Sequence, residues 1–184
     1  TVFGNAGQVR QRVAFASPYP GCIIPLDLAQ YGGTILCQKQ AFLCAAKGVA
    51  VGIAFQRKIG AGLFGGEGFI LQKLEGDGLA FVHAGGMVVE RELGAGEGMR
   101  LDTGCLVAFE QHVGYDITMV KGIKTALFGG DGLFYATMTG PGKVWIQSLP
   151  FSRLASRIYA AAPQTGGRRT GEGSILGGIG ALVM

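Results

Sequence analysis

Thiols, imidazoles and carboxylates are the groups from which this chain could build a reactive centre, and their spacing along the sequence favours none of them. Cys105 stands seven residues (112 − 105) before His112, the nearest approach of a thiol to an imidazole in the sequence. A nucleophilic thiolate needs a base held against it and a further group to orient that base. Nothing around Cys105 supplies that orienting group, and the residue opens the apolar run Leu106-Val107-Ala108-Phe109, which reads as core. His83 and His112 are the only two histidines, 29 positions apart (112 − 83), so a His-rich metal or cupin-like centre cannot be assembled. Glu67 and Asp131 each sit alone in a glycine-rich loop, whereas calcium asks for about six or more oxygens. Glu75, Asp77 and Asp102 could be cast as paired carboxylates for hydrolysis. Turn positions account for the first two, and a solvated strand edge for the third. No catalytic residue, cofactor site or metal ligand is assigned, and the chain is read as non-enzymatic.

Gly60-x-Gly62-x-x-Gly65 matches the dinucleotide fingerprint, but that motif needs a strand before it, a helix after it and a distal acid. A β-like segment follows instead. The same stretch recurs further along the chain with Lys124, Ala126 and Gly129 in those places, so two of the three glycines are dispensable.

That recurrence is an internal repeat, which must be recognised before elements are assigned. The segment from Ile59, IGAGLFGGEGFILQKLEGDGLAFVHA, lies without a gap over the segment from Ile123, IKTALFGGDGLFYATMTGPGKVWIQS, at an offset of 64 (123 − 59). The same offset lays GTILCQKQAFLCAAKGVAVGIAF from Gly33 over EGMRLDTGCLVAFEQHVGYDITM from Glu97. The tails LAFVHA and KVWIQS also resemble RVAFAS from Arg12, so Thr1 to Ser17 is expected to be the last hairpin of an earlier copy. The resulting division is 1–17 as the end of an incomplete repeat, 18–85 and 86–162 as two β modules, and 163–184 as a Gly-rich tail. On this reading the chain begins inside a repeat.

Within each copy the residues alternate as strands do, for example Lys143-Val144-Trp145-Ile146-Gln147, and Gly-x-Gly pairs separate the runs. Glu75-Gly76-Asp77-Gly78 and Thr139-Gly140-Pro141-Gly142 are predicted to be tight hairpin turns. LFGGEG and LFGGDG are predicted to be bulges or corners. Val88 to Leu93 is predicted to be a strand with one wet face, and Pro150 to Ala162 a short helix with Leu154, Ile158 and Ala161 on one side. Trp145 falls where Phe81 and Phe15 fall, which makes it a core aromatic.

Composition agrees with the pattern. Of 184 residues 48% are hydrophobic, 15% are charged and 34 are glycine, which suits many short strands and excludes a disordered chain. The net charge of +4 is spread over scattered pairs such as Arg10/Arg12 and Arg168/Arg169, not gathered into a nucleic-acid footprint. Cys22, Cys37, Cys44 and Cys105 lack CxxC spacing and lie in or beside apolar runs, so they read as buried thiols in a reducing compartment. The longest apolar stretch, Ala41 to Phe55, is broken by Lys47 and shorter than the roughly 18 residues of a membrane span.

The ordered blocks VAFASPYPGCII from Val13, PLDL from Pro25, GAGLFGGEG from Gly60, GDGLAF from Gly76, DTGCLVAF from Asp102 and GPG from Gly140 resemble the altered inheritance of mitochondria protein 24 family, in its bacterial branch. The resemblance covers nearly all of residues 10 to 158. It implies an all-β fold of duplicated double-stranded β-helix-like modules, similar to the tryptophan RNA-binding attenuator protein, with a short C-terminal helix. It implies no known reaction and carries over no catalytic residue; the mitochondrial relatives are associated with the inner membrane.

The functional expectation is a non-enzymatic β-rich scaffold or interaction protein that self-associates through its sheets, as a homo-oligomer such as a trimer, in the bacterial cytoplasm. The alternatives are RNA or other anion binding, by fold analogy, and a small-molecule or metal-binding β-barrel. A peripheral membrane contact through Ile175, Leu176, Ile179, Leu182 and Val183 of the tail is a variant of the first.

Overall fold

The computed structural model describes residues 1–57, 69–119 and 134–162. These form twelve strands and one helix: β1 Gly21–Asp27, β2 Thr34–Gln38, β3 Phe42–Ala45, β4 Ala50–Arg57, β5 Phe69–Glu75, β6 Leu79–Gly85, β7 Val88–Leu93, β8 Gly98–Asp102, β9 Leu106–Glu110, β10 Gly114–Met119, β11 Phe134–Thr139, β12 Gly142–Gln147 and α1 Phe151–Ala161. Two 3-10 turns, Leu28–Tyr31 and Thr103–Cys105, follow β1 and β8. The protein is all-β apart from α1.

Every pairing is antiparallel, and the strands fall into three sheets: β1-β6-β3, β10-β11-β8 and a six-stranded sheet ordered β4-β5-β2-β9-β12-β7. The first six strands and the last six pair in the same way: β1-β6-β3 has the order of β7-β12-β9, and β4-β5-β2 that of β10-β11-β8. Adding 64 to the bounds of β2, 34–38, gives those of β8, 98–102. The six-stranded sheet exists because β2 also pairs with β9, joining one trio from each half.

Side chains of a strand alternate between faces, so a sheet with apolar residues at successive positions must be covered on both sides. In β12 Val144 belongs to one buried cluster and Trp145 to the other; in β5 Phe69 and Leu71 face one way and Leu74 the other. The sheet β1-β6-β3 covers one face through Ile24, Leu26, Ala80 and Val82, packed with Ile35, Leu74, Val107 and Trp145. The sheet β10-β11-β8 covers the opposite face through Ile117, Ala136 and Met138, packed with Phe69, Leu71, Leu106 and Phe109. The result is three layers of sheet, and each core draws on residues before and after position 86.

The Gly-rich segments 76–78 and 140–142 are tight, but they are corners and not hairpins, because the strands they join lie in different sheets. The amide of Gly76 donates to the Gly33 carbonyl at 3.0 Å, and that of Gly140 to the Glu97 carbonyl at 2.9 Å, the same bond 64 residues on. A side chain is excluded at both: a Cβ on Gly76 would stand 2.9 Å from the Gly48 carbonyl oxygen, and one on Gly140 2.3 Å from that of Gly94. Gly76 also has φ 145, a region that favours glycine.

β7 forms as expected, but it is the outer strand of its sheet, and Val89, Glu90, Arg91 and Glu92 are all exposed, so it is wet on both faces. Helix α1 also forms, with no residue of it buried. Residues 1–17 contain no strand, and Val2, Phe3, Val9, Val13 and Phe15 are exposed; an isolated hairpin with no sheet to rest on has too little to bury. The fingerprint glycines 60–65, the loops holding Glu67 and Asp131, and the tail 163–184 lie outside the described residues.

Candidate functional site: open sheet edges

The residues singled out from the sequence do not converge. His112 is exposed in the turn after β9, whereas Cys105 ends the 3-10 turn before it. A five-residue strand of about 3.3 Å per residue separates them. The Cys105 thiol is pushed up by burial and then by the Asp102 carboxylate, with the Arg153 guanidinium opposing, which is the wrong direction for a nucleophile. Glu75 ends β5 and pairs with Lys73 at 2.6 Å, in a different sheet from Asp102.

Asp102 is not a solvated edge carboxylate, and the correction has a local cause. One of its oxygens accepts the Gly104 amide at 2.8 Å, starting the 3-10 turn, and the other takes the Arg153 guanidinium of α1 at 2.5 Å. It therefore ties the helix to the end of β8. Next to it, Gln147 accepts the Gly85 amide and donates to the Gly104 carbonyl, both at 2.7 Å.

His83 occupies the position of Gln147 in the other half (147 − 64) but has no such partners. It is 3% exposed, and neither ring nitrogen makes a hydrogen bond. Tyr19 meets the imidazole edge-on with ring centres 4.5 Å apart, and Phe151 of α1 lies against Tyr19 at 5.0 Å. Burial lowers the His83 pKa, opposed by the backbone of Tyr19. Among the described residues no group of three or more His, Cys, Asp or Glu could hold a metal.

Of the four cysteines only Cys37 is buried; Cys44 and Cys105 are half-buried and Cys22 is exposed, and all four are free thiols. Cys37 lies between layers, and burial pushes its thiol up to about 12. Trp145 is core, 1% exposed and edge-on to Tyr31 at 5.4 Å. Lys73, Arg91, Lys143 and Arg153 each pair with an acid, so these cations are locally compensated.

What the geometry does display is an asymmetry between equivalent strands. β1 and β7 are both outermost strands, and so are β4 and β10. β2 and β9 pair with each other inside the central sheet, whereas among the described residues their counterparts β8 and β3 are the end strands of their sheets. β3 is Phe42-Leu43-Cys44-Ala45, half-buried throughout and without a charge or proline to discourage pairing. It carries a bulge at Leu43 against β6, and β9 carries one at Val107 (43 + 64) against β12. The bulge does not stop β9 from pairing with β2. These edges were missed in the sequence because an edge is a property of pairing, and only the apolar uniformity of β3 could have drawn attention to it.

By its pairing and packing this is, as a class, a layered all-β protein. The comparisons place it more narrowly. The chain belongs to the mitochondrial biogenesis AIM24 family, whose model matches residues 1–149. It is 29% identical over 153 residues to an uncharacterised protein of Streptococcus pyogenes serotype M6, covering 83% of this chain and 60% of that protein. The crystal structure of a Streptococcus pyogenes protein from a structural genomics consortium is similar to it with a TM-score of 0.67 and 25% identity, covering 80% of this chain and 63% of that one. The chain thus spans less than two thirds of the length of these relatives. No helix among the described residues is long and apolar enough to cross a membrane.

Proposed function

We propose that this protein is a non-enzymatic scaffold, built from a duplicated two-sheet unit (residues 18–85 and 86–162), that self-associates through its strand edges. One observation carries the reading: among the described residues, the pairing that unites the two units, β2 with β9, has no equivalent at β8 and β3. Unpaired N–H and C=O groups along an edge recruit another strand unless something blocks them, and β3 has no blocking residue. Light scattering coupled to size exclusion at tens of micromolar tests it. The expected mass is a multiple of 19.1 kDa, and a clean 19.1 kDa species would overturn the reading.

A peripheral membrane contact is a second reading, favoured by α1, which leaves Phe151, Ile158 and Tyr159 exposed while Arg157 lies on another side of the helix. Co-sedimentation with anionic vesicles, compared with Ile158→Ser, tests it; equal pelleting of the two proteins would count against the helix.

A further inference from the structure

Beside the start of α1 lies a buried titratable side chain that the proposed function does not use. We propose that His83 and Tyr19 form an acid-sensitive latch: protonation of the His83 imidazole displaces the Tyr19 ring and frees the first turn of α1 from the sheet β1-β6-β3. The latch does not rest on self-association, and each can stand without the other.

The place of the ring follows from the strands. Along β6, Ala80, Val82 and Ala84 point into the core, so Phe81 and His83 belong to the outer face of the sheet. Water would reach an imidazole on that face, yet His83 is buried. Two features close it in. Gly21 of β1 has no side chain, and the imidazole fills the space, because a Cβ on Gly21 would stand 2.6 Å from Nε2. Tyr19 then covers the ring edge-on at 4.5 Å. The tyrosine also rests where a glycine leaves room: a Cβ on Gly85 would stand 3.2 Å from its Cε2. Phe151, the first residue of α1, lies against Tyr19 at 5.0 Å.

A neutral imidazole tolerates this enclosure and a charged one does not. The Tyr19 backbone favours the charged form, but burial outweighs it. Among the described residues the neighbouring elements bring no free counter-charge. β1 carries Cys22 opposite Ala84, and Asp27 only at its far end opposite Leu79; β3 carries Cys44 opposite Phe81. Segment 18–20 brings the phenol of Tyr19, itself pushed up by burial. α1 brings a cation, Arg153, which holds Asp102 of β8. β6 has no other ionisable residue. An imidazolium must therefore be hydrated, and the way to water leads through Tyr19.

The helix is held lightly enough to follow. No residue of α1 is buried, and two side-chain contacts tie its first turn down, Phe151 on Tyr19 and Arg153 on Asp102. The Arg153 side chain is half-exposed, so the ion pair alone holds weakly. A helix of 11 residues without docking is marginal in water, so its release also loosens its own hydrogen bonds. The open ring has the ordinary value of about 6.5 and the closed ring a lower one, so opening grows by up to about tenfold per pH unit below pH 6.5 and levels off below the closed-state value.

Hydrogen exchange of peptides covering 149–162, at pH 7.5, 6.5 and 5.5 with labelling times scaled for intrinsic exchange, tests the latch. Protection of this stretch is expected to fall with pH while peptides of β9 and β12 stay protected. The His83 ring signals in NMR, told from those of His112 with His112→Gln, are expected to titrate over the same range. His83→Gln should abolish the pH dependence, whereas Asp102→Asn should lower protection at every pH and keep it. If His83→Gln does not fold, Tyr19→Ala serves instead: with the cover gone, protection is already low at pH 7.5 and changes little. Constant protection of 149–162 in the wild type, a full step surviving in either His83→Gln or Tyr19→Ala, or a loss that spreads equally to β9 and β12 overturns the proposal.

Discussion

His83 and Gln147 hold equivalent places, yet the glutamine makes two hydrogen bonds at 2.7 Å and the imidazole makes none. Burial makes the imidazole resist protonation, and the Tyr19 backbone opposes this only in part, so its folded pKa lies below the ordinary value of about 6.5. Below about pH 6.5 the unfolded chain then binds a proton that the folded chain refuses, and stability falls with pH until the folded pKa is passed. Denaturant titrations from pH 7.5 to 5 should show this loss in the wild type and a flatter profile in His83→Gln. An unchanged slope would mean that another group titrates. Cys37 and Cys22 differ in the same spirit: with its thiol pushed up to about 12 between layers, Cys37 should stay unlabelled by a thiol reagent in the native state, while exposed Cys22 reacts. Mass spectrometry of labelled peptides reads both.

At the scale of elements, the single tryptophan is the largest side chain fully buried in the protein, and it belongs to the core shared by two layers. Trp145→Ala should cost about 3–5 kcal/mol, and Trp145→Phe markedly less, measured by chemical denaturation. That Trp145 would be core was legible in the sequence, because the repeat places an aromatic there each time. So were β7, α1 and the alternation of β12, whose signals are local. What was not legible was non-local. Segments 76–78 and 140–142 have the glycines of hairpin turns, but whether a tight turn pairs its two strands or sends the second into another sheet depends on the partners each strand finds. Asp102 looked like a solvated edge residue because its ligand, Arg153, lies 51 positions on. The exposure of Cys22 and the half-burial of Cys44 were missed for the same reason: edge strands and inner strands can carry the same residues.

At the scale of the molecule, three layers cover the inner strands of the central sheet on both faces, and among the described residues the end strands of each sheet have one unpaired edge. Of these, β3 and β8 are set apart by equivalence to a joint the protein already makes. Backbone amides that enter a new ladder exchange slowly with solvent, and those at an unused edge do not. Hydrogen exchange read by peptide mass spectrometry at high and low protein concentration is therefore the most direct measurement. Association through these edges predicts that peptides covering 42–46 and 98–102 exchange more slowly at high concentration, while those of β4 and β10 do not change. Equal exchange at both concentrations in 42–46 and 98–102 would contradict it.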